Sequence, residues 1–506
     1  MAEAQRLPLQ PRTDVIAVKL PADTAPHHFR GSIESHRFQI HEWVDPSMKL
    51  HPPRVEVDDT EPFRNALFGR EQFGRSLLQL LRRTEEGLVI FVNAPWGEGK
   101  TTFSRMFRAL IRSEKLSSIY FDAYASDATD EPFIAFSAEI LDFSRSQLSG
   151  AKAKASEKRF KKAAIEVGKR LIGTAVKAGL RLATAGVADS EDLGKLKDTL
   201  SDVTKETGEV IAAQVEQQID DYAAEKESFT VFKNDLAVLA ALHRKEHGFP
   251  LTIIVDELDR CRPSYALALL ERIKHLFDVE GVAFVLLMNL SQMENYVSAI
   301  YGEKVDARGY LLKFATLYVD LPRESDEEPL PRGYRSFCHG LMAHHDFPIE
   351  SPHDDQLVKS MTCLSQHFRL SLREVEKVFV TMALYFAARP KEQFTDAFAV
   401  AMLATFKLKR PELFHRLAAG SITLEELLKE SRLDRLPTNS SRISQSWVNE
   451  FLEFCLLPED KWSEKTGNVP TPFGSWIGRY DLDRKRVLPF LCARLSQFSP
   501  TVATVE

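Results

Sequence analysis

A short segment between residues 88 and 113 constrains the fold of this chain more than any other. Leu88–Asn93 reads LVIFVN, a run of β-forming residues, and the turn APWGEGKT follows at 94–101 before the helical pattern FSRMFRALIR. The turn fits GxxxxGK[ST] except at Ala94, which replaces the first glycine. A glycine turn between a strand and a helix points backbone N–H groups and the helix N-terminus at phosphate oxygens. The segment therefore predicts a phosphate-binding loop.

The loop also assigns roles to its side chains. Lys100 is predicted to neutralise β- and γ-phosphates, and the Thr101 hydroxyl to bind Mg²⁺. The predicted nucleotide-binding residues of the loop are Ala94, Pro95, Trp96, Gly97, Glu98, Gly99, Lys100, Thr101 and Thr102. The alternative is an ordinary strand-to-helix turn that carries a surface lysine.

A second motif places two carboxylates at the end of a strand. Residues 251–257 read LTIIVDE, so an apolar run delivers Asp256 and Glu257 to the edge of a sheet where ligands bind in such folds. Asp256 is predicted to hold Mg²⁺ together with Thr101, and Glu257 to act as the general base that polarises the attacking water. Two acids that only cap the next helix are the alternative.

Five apolar runs alternate with helical patterns: 88–93, 117–125, 251–259, 281–289 and 315–322. Such alternation is typical of a parallel sheet covered on both faces, which is the three-layer α/β class. At least one strand lies between the glycine loop and the acidic strand. We therefore expect the additional-strand, hydrolytic type of P-loop NTPase, with a helical insertion and an α-helical C-terminal region.

Further catalytic candidates follow the fourth strand. Asn289, at its end, is predicted to orient the attacking water, with a simple strand-end cap as the alternative. Arg308, Lys313 and Arg373 are candidate positive groups for the charge that rises on the γ-phosphoryl group. Exposed arginines are common, so a surface role stays open for each.

Composition excludes several classes of protein. The 506 residues are 44% hydrophobic and 27% charged, which is typical of a chain that folds into two or three soluble domains. A net charge of −6 gives no general attraction to nucleic acid. Five cysteines without a CxxC pair indicate reduced thiols. No signal peptide or apolar stretch of ~20 residues is visible, so we expect a cytoplasmic protein.

The sequence divides into four predicted parts: an irregular N-terminal arm at 1–57, a nucleotide-binding core at 58–325, a helical lid at 326–390 and a helical domain at 391–506. The core contains a charged insertion at 145–228. Residues 151–181 carry ten basic and two acidic residues, and 189–227 carry twelve acidic and four basic residues. These halves favour two helices that pair with each other or with a partner, but a basic helix on an anionic membrane surface through 151–188 stays open.

The motifs together resemble the KAP family of P-loop NTPases over roughly residues 58–380. The resemblance rests on WGEGKT from Trp96, FDAY at 121–124, DELDRC at 256–261 and YLLKF at 310–314. It implies an ATPase that requires Mg²⁺. By similarity in the segment FGRE at 68–71, it also implies that Arg70 binds the nucleotide and that Asp59 and Phe73 lie near the base or ribose.

The family commonly carries transmembrane helices where this chain has 145–228, but here Lys177 and Arg181 interrupt the apolar stretch. Its known members include phage-exclusion proteins, so the resemblance implies a conformational or assembly switch in anti-phage defence, with self-association or a protein partner. The alternative is a nucleotide-regulated scaffold at a membrane surface or on a partner, with little turnover. A motor on nucleic acid is disfavoured by the acidic total.

Overall fold

The structure is a computed structural model of the chain. It describes residues 49–128, 131–148, 150–185, 206–323, 332–347, 353–387, 396–436, 445–467 and 482–497, without the side chains of 170–185, 206–225 and 353–355. Most of the predicted arm at 1–57 lies outside these residues, and the described residues belong to one compact unit.

The described residues contain one sheet of five parallel strands. These are β1 (Leu88–Asn93), β2 (Ser118–Asp122), β3 (Leu251–Asp256), β4 (Val282–Met288) and β5 (Leu317–Asp320). All five strands lie within the runs predicted from the sequence. Burial on both faces explains why β3 and β4 are apolar almost throughout, since neither face meets water.

The strand order is β2-β3-β4-β1-β5. The strand of the glycine loop, β1, pairs with β4, and β4 pairs with the acidic strand β3. One strand thus separates the two motifs, which confirms the additional-strand P-loop NTPase fold. The separating strand is β4, which follows both motifs in the sequence, whereas β2 lies at the edge beyond β3.

Between residues 70 and 312, the described residues form nine helices around these strands. They are α1 (Arg70–Arg83), α2 (Lys100–Ser113), α3 (Ala123–Ser126), α4 (Pro132–Gln147), α5 (Ala151–Ala185), α6 (Glu206–His247), α7 (Pro263–Ile273), α8 (Leu290–Tyr301) and α9 (Ala307–Leu312), with 3-10 turns at Leu258–Arg260 and Lys274–Leu276. Alternate residues of β1 enter different cores: Val89 and Phe91 pack with α4 to α9, and Ile90 and Val92 pack with α1 and α2. The three-layer architecture follows from this alternation.

Most of the described residues of the insertion belong to α5 and to the first half of α6, and these two helices pack against each other. The rings of Phe160 and Phe232 pack at a tilt with their centroids 4.4 Å apart, and Nε of Arg159 lies 3.2 Å from Oδ1 of Asp235. Phe232 and Asp235 lie beyond the acidic segment 189–227, so the predicted pairing of the two charged halves stays a prediction. Among the described residues, no helix combines the length and apolar character needed to cross a membrane.

The C-terminal region is helical, as the sequence predicts. Its helices are α10 (Arg332–His345), α11 (His353–His367), α12 (Leu372–Ala387), α13 (Ala397–Lys409), α14 (Pro411–Ala418), α15 (Leu424–Ser431), α16 (Gln445–Leu456), α17 (Glu459–Thr466) and α18 (Val487–Leu495), with 3-10 turns at Leu433–Arg435 and Arg484–Arg486. They share one apolar core that surrounds α13, whose residues 397–406 are all buried. The domain boundaries at 325 and 390 stay predictions.

The buried cap of α13 gives the helical region a dependence on pH. Asp396 accepts a hydrogen bond from the Ala399 N–H at 2.6 Å, and burial raises the pKa of its carboxyl from near 3.8 to about 7. The folded chain therefore binds this proton more tightly than the unfolded chain does. The stabilising contribution is complete below about pH 4 and is lost as the pH rises through about 7.

We expect wild type to lose on the order of 3 kcal/mol of stability relative to Asp396→Asn between pH 4 and pH 8. The asparagine keeps an oxygen for the helix cap but does not titrate in this range. Denaturant unfolding of both proteins across the pH series measures the difference. A constant difference between them would contradict the assignment.

Candidate active site

The loop between β1 and α2 has the backbone geometry of a phosphate cradle. Gly97 and Gly99 adopt φ values of 85° and 78°, a left-handed conformation that favours glycine. A Cβ at Gly99 would lie 2.8 Å from Nη1 of Arg70, so a side chain here would displace the end of that arginine. Ala94 still pairs with the sheet, since its N–H donates to the Met288 carbonyl at 3.0 Å. The alanine therefore replaces glycine where the backbone is still extended with the strand.

Lys100 is buried at the start of α2. Its ammonium group donates to the Ala94 carbonyl at 2.8 Å and the Pro95 carbonyl at 3.3 Å, and it lies 3.2 Å from Oδ2 of Asp259. The lysine is thus held inside the loop by two carbonyl groups and one buried carboxylate.

Trp96 connects the loop to the segment after β3. Its indole N–H donates to Oδ2 of Asp259 at 2.7 Å, the same oxygen that faces Lys100. The Tyr296 hydroxyl donates to the Asp259 backbone carbonyl at 2.9 Å. Two runs that are 160 residues apart in the sequence, WGEGKT and DELDRC, therefore meet at one carboxylate.

The two acids of β3 have different surroundings. Asp256 is fully buried, and burial raises the pKa of its carboxyl to about 6. Its Oδ1 accepts the Glu257 N–H at 2.8 Å, and the Tyr120 hydroxyl lies 3.4 Å from Oδ2. Glu257 has a φ of 61°, unusual for a residue other than glycine, and its side chain is 12% exposed. Its Oε1 accepts the Thr101 hydroxyl at 2.8 Å.

Thr101 and Asp256 line the same cavity, and both offer oxygen atoms. Mg²⁺ prefers hard oxygen ligands and commonly takes one or two protein side chains together with substrate phosphates. The residues present therefore fit the ion that the sequence predicts here.

These groups face a cavity of about 390 Å³. Its lining consists of Val55, Asn65, Ala66, Leu67, Phe68, Arg70, Trp96, Gly97, Gly99, Lys100, Thr101, Thr102, Met106, Asp256, Glu257, Asp259, Arg260, Phe337, Leu372, Arg373 and Glu376. Residues before α1 and from the helical region supply an apolar part, which suits a planar base. Of the loop residues predicted to bind nucleotide, Ala94, Pro95 and Glu98 are not in this lining.

Other predicted residues lie outside the lining. The Asn289 side chain caps α8, accepting the Gln292 N–H at 3.4 Å, and Arg308 lies 3.4 Å from Glu294. Asp59 forms an ion pair with Arg112 at 2.6 Å. Phe73 packs on Phe103 in the core, and Lys313 is likewise absent from the lining. Arg70 and Arg373, in contrast, both line the cavity.

Comparison with known proteins decides the family. The family model described as "KAP family P-loop domain" matches residues 70–377, which is more than half of the chain. The chain belongs to the KAP family. No curated protein matches this KAP-family chain significantly.

Two solved structures show distant likeness to this KAP-family protein. The structure of Caenorhabditis elegans PCH-2 is 12% identical, with a TM-score of 0.31, and the match covers 71% of this chain and 73% of that one. The Aeropyrum pernix ORC2 protein, in its ADPNP-ADP complexes, is 12% identical, with a TM-score of 0.33 and coverage of 88% and 95%. Both likenesses are too weak to support a conclusion about function.

Several residues that line the cavity were not predicted from the sequence. Asp259 and Arg260 stand inside the run DELDRC that carried the family resemblance, yet neither received a role. In the structure Asp259 holds Trp96 and Lys100, and Arg260 lies 2.9 Å from Glu257. Their positions directly after β3 were the signal that could have identified them. The apolar lining from Val55 and Phe337 had no sequence signal.

A substitution at Gly97 tests how closely the glycine loop packs against the first turn of α12. A Cβ here would lie 2.8 Å from Cβ of Arg373 and 3.0 Å from Oγ of Ser371, at the start of α12. We expect Gly97→Ala to weaken nucleotide binding and to destabilise the chain by more than the ~1–2 kcal/mol of left-handed strain. Gly150→Ala is the control, because Gly150 has a φ of 93° and no atom of the described residues lies within 4 Å of its Cβ position. Denaturant unfolding and nucleotide titration measure both variants, and equal effects would contradict the close fit.

Proposed function

We propose that this KAP-family NTPase binds ATP with Mg²⁺, hydrolyses it, and uses the nucleotide to control its helical region. The convergence of Lys100, Thr101, Asp256 and Glu257 on one cavity carries the proposal. These groups supply a phosphate-binding cation, two oxygen ligands for a metal ion and a carboxylate base. The choice of ATP over GTP rests on the family resemblance and on the lack of a guanine-reading NKxD motif.

Each group has a chemical task in the proposed reaction. The loop N–H groups and Lys100 bind the phosphates, and Mg²⁺ held by Thr101 and Asp256 would offset negative charge on the phosphate oxygens. Glu257 accepts a proton from water as the water oxygen bonds to the γ-phosphorus. The bond from that phosphorus to the bridging oxygen breaks, and its electron pair leaves on ADP.

Direct contacts between the loop and the helical region support the switch. The Arg373 N–H at the start of α12 donates to the Gly97 carbonyl at 3.2 Å. Glu98, buried in the loop, lies 3.5 Å from Arg323, which donates to the Tyr334 hydroxyl at 2.8 Å and to the Leu370 carbonyl at 3.0 Å. A change of loop geometry on nucleotide binding would act on these contacts first.

A second contact supports the loop from a residue that precedes it in the sequence. Arg70 is buried and donates to the Glu98 carbonyl, and burial lowers the pKa of its guanidinium to about 10. Burial also raises the pKa of the Glu98 carboxyl, while Arg323 and Arg70 act in the opposite direction. The proposed role of Arg70 is therefore to support the loop as well as to line the cavity.

Phosphate release by the purified protein tests this function. We expect release from ATP with Mg²⁺, and none when a chelator removes divalent cations. GTP in place of ATP tests the base. If the protein neither binds nor hydrolyses either nucleotide, the proposal is wrong.

The exposed basic face of α5 favours a second candidate, contact with an anionic membrane surface. Lys152, Lys154, Lys158, Lys161 and Lys162 are all exposed on this helix. Deleting the helix would also remove Phe160 and Val167 from the core, so charge reversal of the five lysines is the better test. Flotation with anionic vesicles that persists after charge reversal would contradict this candidate.

The proposed biological role, defence against phage, rests on the family resemblance. We expect a bacterial host that expresses the protein to show reduced phage plating and the Glu257→Gln variant to lose this effect. Equal plating with and without the protein would contradict the role. Self-association is part of the same proposal, and sedimentation with and without ATP measures it.

A further inference from the structure

Arg260 is an unassigned cation at the proposed reaction centre. It ends the 3-10 turn Leu258–Arg260 that follows β3, and its side chain lines the same cavity as Lys100 and Thr101. Its backbone N–H donates to the Glu257 carbonyl at 3.1 Å, which fixes the arginine beside the proposed base. Its side chain is 39% exposed, so it is not part of the apolar core.

The side chain of Glu257 contacts both Thr101 and Arg260. Oε1 of Glu257 accepts the Thr101 hydroxyl at 2.8 Å, and Oε2 lies 2.9 Å from Nη1 of Arg260. Both oxygens of the base are thus engaged by groups that also suit a nucleotide complex. Thr101 is the proposed Mg²⁺ ligand, and an arginine fork suits phosphate oxygens.

Two of the other described cations in the lining, Lys100 and Arg70, already have side-chain partners within the protein. Lys100 is held by two carbonyl groups and Asp259, and Arg70 donates to the loop carbonyl of Glu98. Arg373 stands on α12 and is tied to the loop through its backbone. The side chain of Arg260 is 39% exposed and lies beside the proposed base. Its present partner, Glu257, is an anion that a phosphate group can replace.

We propose that Arg260 exchanges Glu257 for the γ-phosphoryl group, so that recognition of the third phosphate also frees the base. The exchange moves one cation between two anions and needs no other reactant. It makes Arg260 the residue that distinguishes a triphosphate from a diphosphate. This inference rests on the proposed function, because it assumes that nucleotide binds in this cavity.

Binding measurements with ADP and a non-hydrolysable ATP analogue, each with Mg²⁺, test the inference without relying on turnover. We expect Arg260→Ala to weaken analogue binding by about 10- to 100-fold, the range for a charged hydrogen bond, while ADP binding stays close to wild type. Arg260→Lys should recover part of the loss, because it keeps the charge without the fork. Hydrolysis by Arg260→Ala should fall by about 1,000-fold.

Arg75→Ala is the matched control, since Arg75 forms an exposed ion pair with Glu71 at 3.0 Å outside this cavity. It should change neither affinity. If Arg260→Ala weakens analogue and ADP equally, or weakens neither, the inference is wrong and nucleotide binding itself still stands. If hydrolysis rises, Arg260 only restrains Glu257 and the inference is also wrong. Wild type that binds neither nucleotide would overturn the proposed function, and this inference with it.

Discussion

Glu257→Gln is expected to retain ATP and to lose hydrolysis. Glutamine has the shape of glutamate and keeps an oxygen that can accept the Thr101 hydroxyl, which lies 2.8 Å from Oε1 in the structure. The amide cannot accept a proton from water as a carboxylate does. A general base contributes about 100- to 10,000-fold to a rate, so we expect turnover to fall by that factor.

Single-turnover phosphate release and nucleotide titration on the same protein separate the two effects. Glu294→Gln is the control, because Glu294 also lies near an arginine, 3.4 Å from Arg308, but is outside the cavity lining. It should hydrolyse ATP at the wild-type rate. Hydrolysis by Glu257→Gln at that same rate would show that Glu257 is not the base.

Lys100→Met is expected to weaken ATP binding and to destabilise the folded chain. The first effect follows from the loss of a charged hydrogen-bond donor to phosphate, worth about 10- to 100-fold in affinity. The second arises because Asp259, whose side chain is only 1% exposed, loses the cation 3.2 Å away. Removing one partner of a buried ion pair typically costs about 3–5 kcal/mol.

The double variant Lys100→Met with Asp259→Asn separates these effects. Asparagine removes the buried charge and keeps an oxygen that can accept the Trp96 indole N–H, now at 2.7 Å. We expect it to restore most of the stability in denaturant unfolding but none of the ATP affinity. If Lys100→Met alone is as stable as wild type, the ion pair does not contribute to the fold.

The strands and the positions of the proposed catalytic groups were predictable because their signals are local. The apolar, β-forming run that predicts β1 consists of six consecutive residues, Leu88–Asn93. The glycines of the loop likewise indicate its backbone conformation without reference to distant residues. The positions of Lys100 and Glu257 follow from the same rule, since ligand-binding residues in a parallel sheet lie at the carboxyl ends of strands. Arg373 was also predicted, and it lines the cavity.

Partners that are distant in the sequence were not predictable. Arg308 and Arg373 looked equivalent as isolated basic residues, but only α12 packs its first turn against Gly97. The bond from Trp96 to Asp259 and the ion pair of Glu98 with Arg323 join segments separated by more than 160 residues. No periodicity encodes such contacts, because packing of whole elements creates them.

The amino-acid sequence by itself determined the P-loop fold class and the two motifs that carry the proposed chemistry. Backbone conformation and apolar periodicity depend on a few consecutive residues, so they can be predicted from the sequence. Only the tertiary structure decided that β4 separates the motifs, that Asp259 and Arg260 line the same cavity as Lys100 and Glu257, and that the loop touches α12. These features depend on which buried surfaces pack together, and packing is a property of the whole chain.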